Sequence, residues 1–364
     1  MTSLPIEPNG YPPAEAVPHV ATEILSQIAE EVGVSERTVQ RVLTGELRDS
    51  RPTIVHRAKR IRRLATQLGY RPNTAARAIS TGRFGCACLV MTRSEGRSTL
   101  PEDLLNGLCD ALAGHDMHLT LARLPDEALT SDQAPPKIMR EWMADGLLLN
   151  YTTSIPRALL DMIHDFKIPS VWINSKQPAN CVHPDDFGAG RMAAEHLIRL
   201  GHREIAYADY QHPWADWDSY HYSAHDRSGG YEQVMRDAGL APRFIREDHW
   251  VPRERQLAYT RGWLGQDDRP TAIVAACQVE AVAISMVAPE LGLRVGRDVS
   301  LAVLAPTGTA CGHMSRADIR QKEIARRAVE MLAGRMAPGR PDLPPVAVPF
   351  VWHNGGTCAP PKDE

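Results

Sequence analysis

LSQIAEEVGVSERTVQRVLTG, residues 25 to 45, decides how the N-terminal part of this 364-residue chain is read. Leu25, Ile28, Ala29 and Val32 recur at helical spacing, and so do Val39, Val42 and Leu43 beyond Gly33. Two short amphipathic helices therefore flank a tight turn, at which Gly33 supplies the left-handed backbone a sharp reversal needs. Ser35 stands where the second helix needs an N-cap, its hydroxyl placed to accept from the Thr38 N–H. Glu36, Arg37, Gln40 and Arg41 then project from the start of that helix, as in a helix-turn-helix that lays its second helix in the DNA major groove. A plain helical hairpin with a charged outer face has the same periodicity, so on spacing alone both readings stay open.

What surrounds the stretch favours the first. A third helical pattern follows, with Ile54, Ala58, Ile61, Ala65 and Leu68 in step. Between Ala21 and Gly85 twelve Lys and Arg stand against six Asp and Glu, while the whole chain carries −3. A basic head on an acidic body is the footprint of a protein that holds phosphates at one end. The run HRAKRIRR, His56 to Arg63, reads as a solvated face with some phosphate contacts, without base readout. The first twenty residues contain Pro5, Pro8, Pro12, Pro13 and Pro18 and read as a flexible arm. They lack the basic region and apolar run of an export signal, and no stretch approaches the roughly 18 apolar residues of a membrane span. The expectation is a cytoplasmic protein without a membrane partner.

From Cys86 onward short apolar runs alternate with amphipathic helical patterns, as in a doubly wound parallel sheet. CACLVM, HLTLARL, GLLLNY and PSVWIN are the first strands, and near Asp185 the cycle restarts with EIAYADY, TAIVAA and VSLAVLA. Two similar halves predict two lobes facing a cleft, with ligands outside the carboxyl ends of the strands. The seven cysteines, at 86, 88, 109, 181, 277, 311 and 358, show no C-x-x-C spacing. Cys86 and Cys88 read as small strand residues, and neither zinc nor a disulfide framework is expected. His212, His221 and His225 lack a carboxylate or Cys at metal-ligand spacing and read as surface or pocket histidines. Gly188-Ala-Gly190 is half a dinucleotide fingerprint and reads instead as a helix start packed close to a strand. There is no G-x-S-x-G, P-loop or H-E-x-x-H, so no catalytic residue, cofactor or metal is assigned.

LGYRPNTAARAISTGRFG, Leu68 to Gly85, completes a family pattern. The order helix-turn-helix, third helix, LGYRPN and a short helix ending in TGR resembles the DNA-binding head and hinge of the LacI/GalR (lactose-repressor) family. The resemblance continues through IPSVWIN (168–174), DDFGAGRMAAEHLIRLGHREIAY (185–207), DRSGGYEQVMRDAGL (226–240) and RPTAIVAA (269–276), covering roughly residues 22 to 335. It implies a small all-α helix-turn-helix head with a hinge helix, plus an α/β two-lobed periplasmic-binding-protein-like body whose chain crosses between lobes three times. The boundaries expected are a flexible arm (1–20), head (21–68), hinge helix and linker (69–85), body (86–352) and flexible tail (353–364). The tail, HNGGTCAPPKDE, lacks the leucine heptads with which some family members pair dimers into tetramers, so a homodimer is expected. It would bind a palindromic double-stranded operator, as a repressor under control of a small-molecule effector.

By the same resemblance Glu36, Arg37 and Arg41 align with base-reading positions. An Arg fork matches guanine O6 and N7, and Glu accepts from cytosine N4; Glu36 could instead orient Arg37. Ser35, Thr38, Gln40, Tyr70 and Asn73 would position the DNA backbone. Ile79 stands where the family places a Leu that wedges between base pairs in the minor groove, and packing of hinge against hinge is the alternative. In the cleft, Arg227 aligns with the Arg that grips an effector's hydroxyls or carboxylate, and Asn174 and Trp250 fall at other ligand positions. The chain departs from the family at Cys277-Gln278, where an Asn-Asp dipeptide belongs, and at Ala305-Pro306, where an Asp pair belongs. The effector expected is thus a sugar, a sugar derivative or another small molecule, with Gln278 a remaining polar contact. Trp214, Trp217, Tyr220 and Tyr222 either stack on a flat ligand or cap a lobe. Two other classes compete. A regulator with a lost effector site would act constitutively or through a partner, and a transporter's solute-binding protein would need an export signal and no head. The hinge generates a test: Ile79→Ala should weaken binding to a selected operator in a gel-shift titration while leaving thermal unfolding unchanged. Unchanged affinity rules out the wedge.

Overall fold

The computed structural model describes residues 16–44, 51–70, 78, 82–94, 98–125, 143–152, 154–213, 215, 220–306, 311–337 and 339–362. The chain divides between Phe84 and Gly85 into two compact units. In the head, α1 (Ala16–Val32), α2 (Glu36–Leu43) and α3 (Pro52–Gln67) share one small core of Leu25, Ile28, Ala29, Val39, Val42, Ala58, Ile61 and Ala65. Gly33 has φ +72°, and the Val34 N–H donates to Ala29 O at 3.0 Å, the left-handed close of α1. The Thr38 N–H donates to Ser35 Oγ at 3.3 Å, the N-cap foreseen for α2. His56, Arg57, Lys59, Arg62 and Arg63 are exposed along α3, but Arg60 has structural work: its Nη2 donates to Glu31 O at 2.9 Å and ties down the end of α1. Helix α1 begins at Ala16, inside the stretch expected to be a loose arm. Pro18 falls in its first turn, where a missing N–H costs no hydrogen bond. The hinge expected at 73–80 lies outside the described residues except for Ala78, which is helical and buried.

The body contains two sheets. β1 (Cys86–Thr92), β2 (His118–Leu124), β3 (Gly146–Asn150), β4 (Ser170–Ile173), β5 (Cys181–Pro184) and β11 (Val346–Val348) form the first, all parallel, in the order β11-β5-β4-β3-β1-β2. β6 (Ile205–Ala208), β7 (Arg243–Ile245), β8 (Ala272–Ala275), β9 (Ser300–Leu304), β10 (Ser315–Asp318) and β12 (Val351–His353) form the second, in the order β12-β10-β9-β8-β6-β7, with only β12 antiparallel. Both faces of each sheet are covered, which is why the strands read as continuous apolar runs. On the first sheet α4 (Glu102–Ala113) lies on one face and α5 (Arg157–Asp165) on the other; on the second, α6 (Asp186–Arg199) and α7 (Tyr222–Asp237) oppose α8 (Gln256–Leu264) and α9 (Gln278–Glu290). α10 (Gln321–Arg335), late in sequence, returns to the first lobe and packs on α4. The chain therefore crosses between lobes from β5 to α6, from β10 to α10 and from β11 to β12. Among the described residues no helix is long and apolar enough to cross a membrane.

Gly188 helps start a helix, its N–H donating to the Asp185 cap at 3.0 Å, and α6 packs on strands β6, β8 and β9 as expected, while at Gly190 it also meets a second helix. A Cβ at Gly190 would fall 2.0 Å from Arg227 O, and one at Gly230 would fall 2.1 Å from Phe187 O, so α6 and α7 touch backbone to backbone. One expectation needs correcting: the C-terminal tail is far from loose. Thr357 is buried, donating to Leu301 O and accepting from the Ser315 N–H, and the Ala359 N–H donates to Ser300 Oγ. Its Gly and Pro content resembles a frayed end, yet His202 bonds the Ala359 carbonyl and the Leu301 N–H of β9 donates to the Thr357 carbonyl. Gly190→Ala is expected to push α6 from α7 and cost about 3 kcal/mol or more, read as a lowered midpoint in chemical denaturation. A wild-type midpoint would mean the crossing has slack.

Candidate functional site

The head presents α2 outward. Glu36, Arg37, Gln40 and Arg41 are exposed on it, with Val39 and Val42 buried beneath. The arrangement follows from the alternation of charged and branched apolar residues over two turns, with the Ser35 cap setting where the helix begins. The structure separates the expected readers. Glu36 Oε1 accepts from the Ser26 hydroxyl of α1 at 2.5 Å, so it clamps the two helices, while Arg37 and Arg41 stand on the exposed face. Thr38 is half-buried and bonded to Ser35, and Tyr70 packs partly into the head core, which raises its phenol pKa by burial. Asn73 and Ile79 lie outside the described residues.

The cleft is built where strands end. Asn174 follows β4, Asp209 follows β6, and Ala276 and Cys277 follow β8. Asn174 has φ +55°, which turns its backbone so that its carbonyl accepts from His221 Nε2 at 2.9 Å. With that nitrogen donating, His221 Nδ1 accepts from the Ser223 hydroxyl at 2.9 Å. Burial lowers the His221 pKa, against the pull of the Asn174 carbonyl, so the ring is neutral. The Tyr222 hydroxyl donates to Asn174 Oδ1 at 3.4 Å, and its ring meets His183 edge to face at 5.5 Å. Lys176 in the first lobe pairs with Asp226 in the second and lies over the Tyr222 ring at 5.2 Å. Beside these contacts opens a cavity of about 270 Å³ lined by Thr152, Ser154, Ile155, Ser175, Lys176, Gln177, Tyr220, His221 and Tyr222.

Arg227 is nearby but occupied. Its Nε donates to the fully buried Asp186 at 2.7 Å and its Nη1 to Ala276 O at 3.1 Å. Burial works against its charge, yet Asp186, with smaller help from Tyr207 and Cys277, holds the guanidinium pKa above its usual value. Asp209 is shared between Arg246, at 3.1 Å, and His212; these outweigh the effect of burial and lower its pKa. Cys277 takes the place of the absent Asn as the N-cap of α9, in a capping box with Glu280, whose Oε2 accepts from the Cys277 N–H at 3.1 Å. Burial first, then the charge of Glu280, push the Cys277 thiol well above its usual pKa. A protonated, capping thiol is not a nucleophile. Glu280 also accepts from the Tyr210 N–H at 2.8 Å, while burial and the Asp209 charge push its carboxyl up to about 7.

Of the residues expected in the cleft, Asn174 and Tyr220 line or border the cavity, and Arg227 forms part of the second lobe's inner wall. Gln278 begins α9, half-buried, and Trp250 is 55% exposed and not among the lining residues. Trp214 and Trp217 lie outside the described residues. Reading the sequence missed Lys176, Asp186, Asp209 and Glu280. Most sit within three residues of a strand's carboxyl end, a position the alternation of runs marks, but their pairing is set by the third dimension. Among the described residues no group of His, Cys, Asp and Glu is placed to hold a metal ion.

A small three-helix head with an exposed, capped second helix, carried on a chain with a two-lobed ligand-binding body, is the build of a ligand-responsive transcriptional regulator. The family model described as "Periplasmic binding protein-like domain" matches residues 194–358. The HTH-type transcriptional regulator GntR of Escherichia coli strain K12 is 30% identical over 288 residues, 77% of this chain and 80% of that one. AglR, an HTH-type transcriptional regulator of Rhizobium meliloti, is 27% identical over 76% of each chain. The Lac repressor dimer bound to operator and the anti-inducer ONPF superposes with a TM-score of 0.69 at 18% identity, covering 92% of this chain and 98% of that one. The chain belongs to the LacI family of transcriptional regulators.

The raised Glu280 pKa sets a pH dependence. The folded protein holds this proton more tightly than the unfolded chain, so the carboxyl stabilises the fold below its ordinary pKa of 4.5, and that contribution is lost as pH rises through about 7. The stability of the wild type relative to Glu280→Gln should thus fall by roughly 3 kcal/mol between pH 4.5 and 7, measured by urea unfolding. Parallel profiles would place the proton elsewhere.

Proposed function

We propose that this regulator binds a palindromic operator as a homodimer and represses the adjoining genes, with a small molecule in the interlobe cleft setting operator affinity. The observation that carries the reading is α2, capped by Ser35 and anchored by Val39 and Val42, with Arg37, Gln40 and Arg41 exposed on one helix face. Arg37 and Arg41 are the base readers in this account, Glu36 a clamp that holds α2 at its angle to α1, and Ser35, Thr38, Gln40, Tyr70 and Asn73 positioning contacts. Support comes from the Lac repressor dimer, whose structure contains operator and anti-inducer together. A DNA partner places the work in the cytoplasm, and the thiol at Cys277, capping a helix and protonated, supports a binding role for the cleft over an enzymatic one.

Coupling follows from linkage. A ligand that prefers one arrangement of the lobes shifts the population toward it, and toward or away from operator binding according to which arrangement that is. The second reading, a regulator without a metabolite, has one observation in its favour: Arg227 is taken up by Asp186 Oδ1 and Ala276 O, and Asp209 and Glu280 by Arg246 and the Tyr210 N–H.

The test is selection of genomic fragments by the purified protein, followed by sequencing and titration of the enriched palindrome. Arg37→Ala should cost about 1–3 kcal/mol on that site, about five- to 150-fold in affinity, and relax the preference at one base pair of each half-site. Loss of affinity equal on all sequences would make Arg37 a phosphate contact. Absence of any enriched palindrome would overturn the operator reading.

A further inference from the structure

The positive charge of the head is not confined to α2. Helix α3, PTIVHRAKRIRRLATQ, contains no Asp or Glu. His56, Arg57, Lys59, Arg62 and Arg63 are exposed on it, and among the described residues no hydrogen bond or ion pair engages the side chains of Arg57, Lys59, Arg62 or Arg63. Glu46 and Asp49, the nearest acidic residues in sequence, lie outside the described residues. Helices of the body hold their cations differently: Arg157 pairs with Asp161, Arg191 with Glu195, Arg236 with Glu232, and Arg326 with Glu323 and Glu330. Like charges three or four residues apart weaken a helix, and Lys59 has Arg62 and Arg63 at those spacings. A face that keeps such charges uncompensated, in a chain that pairs them elsewhere, is a face for an external anion.

The direction of these charges separates them from the reading helix. Ala58, Ile61 and Ala65 turn α3 toward the core it shares with α1 and α2. At about 100° per residue His56, Lys59 and Arg63 fall on the opposite side, along a line about 10 Å long, while Arg60 is drawn aside to Glu31 O. On α2, Arg37, Gln40 and Arg41 are exposed over the buried Val39 and Val42, so they too point away from that core. A duplex lying on the outer face of α2 is thus on a different side of the three-helix bundle from the α3 stripe. We propose that Lys59 and Arg63, with His56 beside them, form a second DNA contact face, which grips the phosphate backbone of another duplex segment without reading its sequence. The stripe has no aromatic or aliphatic anchor of the kind on which protein interfaces are built, whereas a row of cations suits a rail of phosphates. It gives a dimer seated on one DNA segment a hold on a second, with no need to assemble into a tetramer.

The experiment seats the full chain on a bead-bound copy of the selected palindrome, washes away excess protein, and titrates a fluorescent random-sequence duplex at several salt concentrations. The wild type should retain the second duplex, with an affinity that falls as salt rises. Lys59→Gln with Arg63→Gln should weaken that capture at least about tenfold and make the slope of log affinity against log salt shallower by about 2, the share of two phosphate contacts. Lys59→Arg with Arg63→Lys keeps both charges and should retain capture. Both positions are exposed, and matching thermal unfolding midpoints show that the fold is intact. No capture by the wild type, or equal capture by the wild type and the Gln variant, overturns the proposal and leaves the stripe to an acidic protein surface or to solvent. So does a Gln variant whose affinity for the bead-bound palindrome falls as far as its capture of the second duplex, because the stripe then lies on the operator's own duplex. Where no palindrome is enriched, the operator reading has failed by its own test; the beads then carry random-sequence duplex, and the same comparison of wild type with variant decides the role of the stripe.

Discussion

The buried pair of Asp186 and Arg227 is the constraint from which the second lobe's inner wall follows. Asp186 is the first residue of α6, just after the chain has crossed from the first lobe, and Arg227 lies in the middle of α7. Their contact at 2.7 Å, together with the Arg227 bond to Ala276 O, joins the crossover, a helix pair and the end of β8 in one network. Neither charge could stay in that place alone, because an uncompensated buried ion costs several kcal/mol. The geometry is available only because Gly190 and Gly230 let the two helix backbones touch.

The same pair explains why the cleft is less polar in effect than in composition. Acidic and basic side chains crowd its floor and pair with one another, leaving Asp186 Oδ2 buried without a hydrogen bond, and Glu280 is spent on the turn between β8 and α9. A residue list suggests a highly charged pocket. Among the described residues the cavity is lined by one ammonium, hydroxyls, an amide and rings. Cys277 illustrates the exchange: its thiol performs the N-cap duty at the start of α9 in a capping box with Glu280.

Much of the fold was legible because periodicity reports burial. CACLVM, GLLLN and SVWI read as strands because both their faces are covered, and Val39 and Val42 marked the inner side of α2 for the same reason. Ser35 was legible because capping is local: donor and acceptor lie three residues apart. What stayed hidden was non-local. Nothing in the spacing says that Glu36 answers Ser26, that Arg60 closes the end of α1, or that Lys176 meets Asp226 fifty residues away. The C-terminal tail misled for a related reason. Its Gly and Pro residues describe a chain without regular structure, and only the exposed polar edges waiting on the second sheet decide that this irregular chain is held.

The triple crossover also governs how such a chain must be made. Sheet β11-β5-β4-β3-β1-β2 is missing its edge strand, and α4 its partner α10, until residues 321–348 have been synthesised. Because that return comes after the whole second lobe, the core around Leu104, Leu108 and Leu112 lacks Ile324, Ala325, Ala328, Val329 and Leu332 until late in translation. Pairing so distant in sequence is slow to form. A ribosome that stalls near residue 320 therefore releases a chain with an unfinished first lobe, a natural client for chaperones, and cooperative closure of both lobes waits for the last few dozen residues.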